Sequence, residues 1–250
     1  MADFRIINQT LTDRPAGESD AAYIYQYIHV REQRPVALAA HMAIAAAAAR
    51  RLFGTKLQAD TARTDALCRQ MLLRNRYPHD VSSQIEMRLY ATGEVRYECG
   101  EIFVHDGLAM RAVRPEAAVA AYDLPFGEAP TSARRAAHEV AMADARRRGF
   151  RSVIRCDGQG RVVTADDAPV FVVVGRRVLT PATDPSVERD RMAKALSRTP
   201  YTLSECDIRR EVLLSADEVF YCDCRGVTAL AGCGGRLYMD IIARAAAAKL

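Results

Sequence analysis

The strongest constraint on this chain is a series of short apolar runs in its second half, each closed by a tight-turn signal. Ser152–Cys156 and Arg161–Thr164 flank Asp157–Gly158–Gln159–Gly160 and read as the two arms of a hairpin. Val170–Val174 stops at Gly175–Arg176–Arg177, where the glycine supplies a reversal before Val178 and Leu179. Glu218–Tyr221 and Val227–Leu230 add two more strands. Runs of four or five residues are too short for helices, so together they predict the sheet core of one domain.

The first half has a different grain. Ala21–Val30 places strong β-formers at alternate positions, with Tyr23, Tyr25 and Tyr27 on one side and Ile24, Ile28 and Val30 on the other. Arg31–Arg34 is a polar turn, and Pro35–Leu38 is expected to pair back on that strand. Ala39–Phe53 is nearly all alanine and ends at Gly54, which predicts a helix buried on most sides. A second helix is expected from Asp60 to Arg74, capped by Asp60 or Thr61, with Ala66, Leu67, Met71 and Leu72 inward. Ile85–Tyr90 and Val95–His105 form a long hairpin around Thr92–Gly93. Ala117–Tyr122 is then a strand, and Asp123–Gly127 a linking segment with two breakers. A third helix starts at Pro130–Ser132 and stops at Gly149. Its Arg146, Arg147 and Arg148 complement the negative end of the helix dipole.

The order of the C-terminal pieces resembles the pyridoxal-phosphate enzymes of fold type IV, which comprise class IV aminotransferases of branched-chain and D-amino acids and aminodeoxychorismate lyase. The resemblance rests on Ala145–Gly149, Asp157–Val162, Val170–Val174, Val178–Pro181 and Ala216–Phe220, about a third of the chain. It implies an α+β, two-domain architecture like that of D-amino acid aminotransferase. Residues 1–115 would form a small α+β domain, 116–126 a link, and 127–250 a larger, β-rich domain.

The same resemblance implies a site, and this chain departs from it. The family's Schiff-base lysine falls at the register of Pro130, and the only lysines are Lys56, Lys194 and Lys249. Thr164 stands where a glutamate pairs with the pyridine nitrogen, Pro169 where an asparagine follows, and Ile44 where an arginine of an H-L-x-R pattern holds phosphate. The cofactor phosphate would meet Val187 and Glu188 at a helix start, and the hydroxyl of Thr228. Glu188 would repel an anion there. His41 is a pocket residue or the cap of a buried helix. Arg135 could face the pocket. Pyridoxal phosphate is therefore implied by the family and expected not to be retained.

Other motifs point less far. Cys222-x-Cys224, with both thiols on one face of a strand, and Cys233 have some metal-site geometry, but no C-x-x-C pair or matching histidine accompanies them, so no metal is expected. His79–Asp80 follows Pro78 as a turn. Asp166 and Asp167 could offer paired carboxylates, but their place ahead of Pro169 reads as a solvated loop. Thirty-five basic against thirty-one acidic residues is too even a balance for a nucleic-acid binder. There is no eighteen-residue apolar run and no hydrophobic core in Met1–Gly17, so a cytoplasmic protein without a membrane segment is expected.

Two functional readings follow. One is a non-catalytic or repurposed class IV aminotransferase-like homodimer that binds a small molecule or a partner at the interdomain cleft. The other is an active pyridoxal-phosphate aminotransferase or lyase with an atypical site, in which Lys194 is the one candidate amine in the right domain.

Overall fold

The computed structural model describes residues 3–17, 19–103, 110–182 and 185–250. The chain divides into two compact units, one of residues 1–107 with Ala129–Ala133, the other of residues 108–128 with Arg134–Leu250. His105, the expected end of the first long hairpin, lies outside the described residues.

In the N-terminal unit, β1 (Arg5–Ile7), β2 (Thr10–Thr12), β3 (Tyr23–Arg31), β4 (Arg34–Pro35), β5 (Ser83–Tyr90) and β6 (Val95–Ile102) form an antiparallel sheet in the order β2-β1-β6-β5-β3-β4. Asn8–Gln9 and Glu32–Gln33 make its tight turns with both residues at positive φ, the geometry that matches the twist of adjoining strands. α1 (Leu38–Phe53) and α2 (Thr61–Arg74) supply Met42, Ala45, Ala49, Cys68, Met71 and Leu72 to a core shared with Ile24, Ile28, Ile85, Met87 and Leu89.

Two expectations for these helices need correction. α1 is not buried on most sides: Ala39, Ala40, Ala43, Ala47 and Arg50 are exposed, because alanine fits the solvent face of a helix as readily as its packed face. In α2 the inward set is Thr64, Cys68, Met71 and Leu72, and Ala66 faces water. Asp60 caps that helix by accepting from the Arg63 N–H at 3.1 Å.

In the C-terminal unit, residues 116–126, read from the sequence as a link, include β7 (Glu116–Ala121), which pairs in parallel with β8 (Ser152–Cys156). Between them α3 (Ser132–Arg147) packs Ala141, Met142 and Ala145 over Ala118 and Val153. β8, β9 (Val162–Ala165), β10 (Ala168–Val174) and β11 (Arg177–Thr180) run antiparallel in succession. α4 (Val187–Leu196) and β12 (Thr202–Glu205) follow; β13 (Glu218–Asp223) pairs with β10 and with β14 (Gly226–Ala229). β15 (Gly232–Cys233), β16 (Arg236–Leu237) and α5 (Ile241–Ala247) complete the chain.

The two-residue period of β10 builds two cores. Val170 and Val172 pack with Ile154, Val162, Val219 and Tyr221, whereas Phe171 and Val173 face Met192 and Leu196 of α4 and Ile242 and Ala246 of α5. Phe171 and Phe220 stack with ring centroids 5.1 Å apart. Each such side chain, fully buried, contributes about 1.5–3 kcal/mol. No helix among the described residues is long and apolar enough to cross a membrane.

Candidate functional site

The C-terminal unit contains a cavity of about 470 Å³ lined by several segments. The stretch ahead of β7 contributes Arg111, Val113, Arg114 and Pro115; α3 contributes His138, Glu139, Met142 and Arg146; Arg151 follows α3; and Asp166, Tyr221 and Arg225 come from the turns and strand at the sheet end. α3 presents these residues beside the stripe that Ala141 and Ala145 pack over β7 and β8, and Met142 borders both. Gly149, at φ 88°, ends the helix in a conformation that favours glycine, and Phe150 packs beneath α3, so Arg151 follows at the rim.

The sheet end is built by hydrogen bonds. Asp166 and Asp167, at φ 47° and 62°, form the two-residue turn between β9 and β10. Asp166 accepts from the Val153 N–H at 2.9 Å and from the Tyr221 hydroxyl at 2.7 Å. Burial, and secondarily the Asp166 carboxylate, pushes the Tyr221 phenol well above its ordinary range, so it remains a donor at neutral pH. Asp167 pairs with Arg134, and Glu128 with Arg155. These two aspartates are thus half-buried anchors rather than a solvated loop, since their carboxylates have fixed donors.

The cationic lining is unevenly neutralised. Arg225 pairs with Asp223 at 2.6 Å, and Arg114 lies 3.7 Å from Asp240 while donating to the Tyr238 carbonyl. Arg111 donates to the Thr228 hydroxyl at 3.4 Å. Arg111, Arg146 and Arg151 have no carboxylate partner among the described residues.

The residues proposed from the sequence fall in several places. Thr228, fully buried on β14, joins the cavity through Arg111, and Arg135 lies 3.9 Å from Glu139, one of the lining residues. Thr164 is buried in β9, opposite Arg155 and Pro169 in the neighbouring strands. Val187 is the buried first residue of α4, and Ser186 caps the helix, donating its hydroxyl to Glu188 at 2.9 Å. Burial pushes the Glu188 carboxyl up to about 7. Lys194 is exposed on α4. His41 belongs to the N-terminal unit, where its Nδ1 lies 2.9 Å from Gln26 Oε1.

Cys222 ends up buried on β13, whereas Cys224 sits in the turn after it; the strand stops at Asp223, so the expected two-residue period does not carry both thiols. Among the described residues no group of three or more His, Cys, Asp or Glu side chains is placed to hold a metal. The sequence alone does not mark the lining arginines, His138 and Tyr221 as a site. The only sequence signal for them is a wealth of arginine spread over more than a hundred positions, and proximity along the chain does not reveal its convergence.

The amino-transferase class IV family model matches residues 24–228, and the chain belongs to that family. Its fold is also that of solved members with little sequence in common. A branched-chain aminotransferase from the thermophilic archaeon Thermoproteus uzoniensis with norvaline superposes with a TM-score of 0.83 at 17% identity, covering 98% of this chain and 93% of the other. The branched-chain amino acid aminotransferase from Escherichia coli gives 0.80 at 16% identity, covering 98% and 92%. An aminotransferase from Brucella abortus bound to the cofactor PLP gives 0.79 at 17%, covering 97% and 95%. A search of curated protein sequences gives no match.

Proposed function

We propose that this chain is a repurposed, non-catalytic member of the class IV aminotransferase family, a cytoplasmic homodimer that binds a small molecule without forming a Schiff base. The observation that carries the reading is the placement of its three lysines. A Schiff-base amine must be desolvated or held beside another cation, so that enough of it is neutral to attack. Lys194 and Lys249 are exposed on or beside surface helices, Lys56 sits in the segment after α1, and none lines the cavity of the C-terminal unit. The residues present therefore do not fit pyridoxal phosphate bound as in the family, and no catalytic step is assigned through it. Thr164, a hydroxyl buried in β9, cannot stand in for a carboxylate toward a pyridinium.

What the C-terminal unit offers instead is a built cavity, within the size range of small-molecule sites, with polar groups converging on it. The test is chemical trapping. Protein expressed with excess pyridoxal phosphate is reduced with borohydride and weighed intact. An unchanged mass is expected; a reduced adduct mapped to Lys194 would instead establish the family's chemistry at an atypical site.

A further inference from the structure

We propose that the cavity of the C-terminal unit binds a small organic polyanion carrying at least two carboxylate or phosphate groups. This deepens the reading of a ligand-binding family member and rests on it. Among the described residues five arginines line the space and two acids, Asp166 and Glu139, so that lining carries a formal excess of three positive charges. Both acids, already counted in that balance, also have partners outside the arginine lining. Asp166 is committed to the Val153 N–H and the Tyr221 hydroxyl, and Glu139 lies 3.9 Å from Arg135.

Of the five guanidinium groups, those of Arg225 and Arg114 are engaged by Asp223 and by Asp240 with the Tyr238 carbonyl. Arg111 reaches a hydroxyl, at 3.4 Å, and Arg146 and Arg151 have no side-chain partner among the described residues. Like charges gathered on one concave wall repel one another, and their field concentrates anions there. The planar fork of arginine matches the paired oxygens of carboxylate and phosphate. Three available forks approaching from separate segments suit a ligand with more than one anionic group.

Volume and lining exclude a bare ion as the best fit. A cavity of about 470 Å³ holds far more than one phosphate, and Val113, Pro115 and Met142 offer an apolar wall for a carbon skeleton. The imidazole of His138 adds a hydrogen-bonding group on the α3 side.

The experiment is isothermal titration of the full chain, free of pyridoxal phosphate, with citrate, with pyrophosphate and with uncharged glycerol. Saturable binding of citrate or pyrophosphate and none of glycerol is expected, and the preferred anion tells carboxylate from phosphate. The double variant Arg146→Ala/Arg151→Ala removes two exposed side chains that have no partner among the described residues and should bind roughly tenfold more weakly or worse. Arg147→Ala, on a residue paired with Asp144 and absent from the lining, should bind as wild type does. Added sodium chloride should weaken binding to the wild-type protein, which reads the same charge without any substitution. Failure of both anions to bind, equal binding by the double variant, or indifference to salt would overturn the proposal. A borohydride-trapped lysine would overturn the non-catalytic reading, while these titrations would still report on the cavity by themselves.

Discussion

Tyr221 on β13 donates its hydroxyl to Asp166 Oδ2 at 2.7 Å, joining that strand to the β9–β10 turn. The same carboxylate holds the Val153 N–H, so one side chain fixes three strands at the edge of the cavity. Asp166→Ala should cost about 2–4 kcal/mol, because it removes the carboxylate acceptor of the buried phenol and of the Val153 N–H and places alanine in the left-handed region. Asp166→Asn keeps an acceptor and tolerates that backbone, so it should cost less than about 1.5 kcal/mol. Urea denaturation midpoints of the two variants decide the order.

A fully buried carboxylate serves a helix end. Glu218 accepts from the Ile242 N–H at 2.9 Å and from the Ala243 N–H at 3.1 Å, satisfying the free donors at the start of α5. Glu218→Ala should cost about 2–3 kcal/mol, and hydrogen exchange should accelerate most in Ile241–Ala247. Exchange unchanged in that segment would deny the capping role.

Glu188 makes stability depend on pH in a defined direction. Its folded-state pKa, about 7, lies above the ordinary 4.5, mainly through burial, with Asp223 adding to the rise and Ser186 and Arg191 opposing it. The folded state therefore holds this proton more tightly than the unfolded chain. The contribution is fully present below about 4.5 and is lost as pH rises through about 7, by at most about 1.4 kcal/mol for each pH unit. Glu188→Gln should flatten that part of the curve and raise the melting temperature at pH 8 relative to wild type. Parallel melting curves for the two proteins from pH 4 to pH 8 would contradict it.

Assembly is checked by light scattering during size exclusion. A homodimer, as inferred for this family member, should give about twice the 27.6 kDa chain mass at micromolar concentration. A value near 27.6 kDa would remove the dimer from the account.

The strands of the C-terminal unit were legible because glycine and aspartate mark their turns and the apolar runs between are short. β8 to β11 and β13 to β14 lie within a residue or two of the runs read from the sequence. What was not legible depends on distance along the chain. Asp166 reads as a loop residue until Tyr221, 55 positions away, supplies its donor. Glu218 reads as part of a strand motif until α5 places two N–H groups against it. Arg146 had a sufficient local explanation in the helix dipole, which concealed its place beside Arg111 and Arg151. Alanine gives no signal about which side of α1 faces water, so its sequence alone overstates how much of that helix is buried.

The most direct test of the central claim is the visible absorption spectrum of the purified protein during titration with pyridoxal phosphate, run with wild type and with Lys194→Ala. The lysine placement predicts that wild type develops no internal-aldimine band and that the two titrations coincide. A saturable aldimine band in wild type that is missing from Lys194→Ala, accompanied by amino-group transfer from any amino acid to a keto acid, would contradict it.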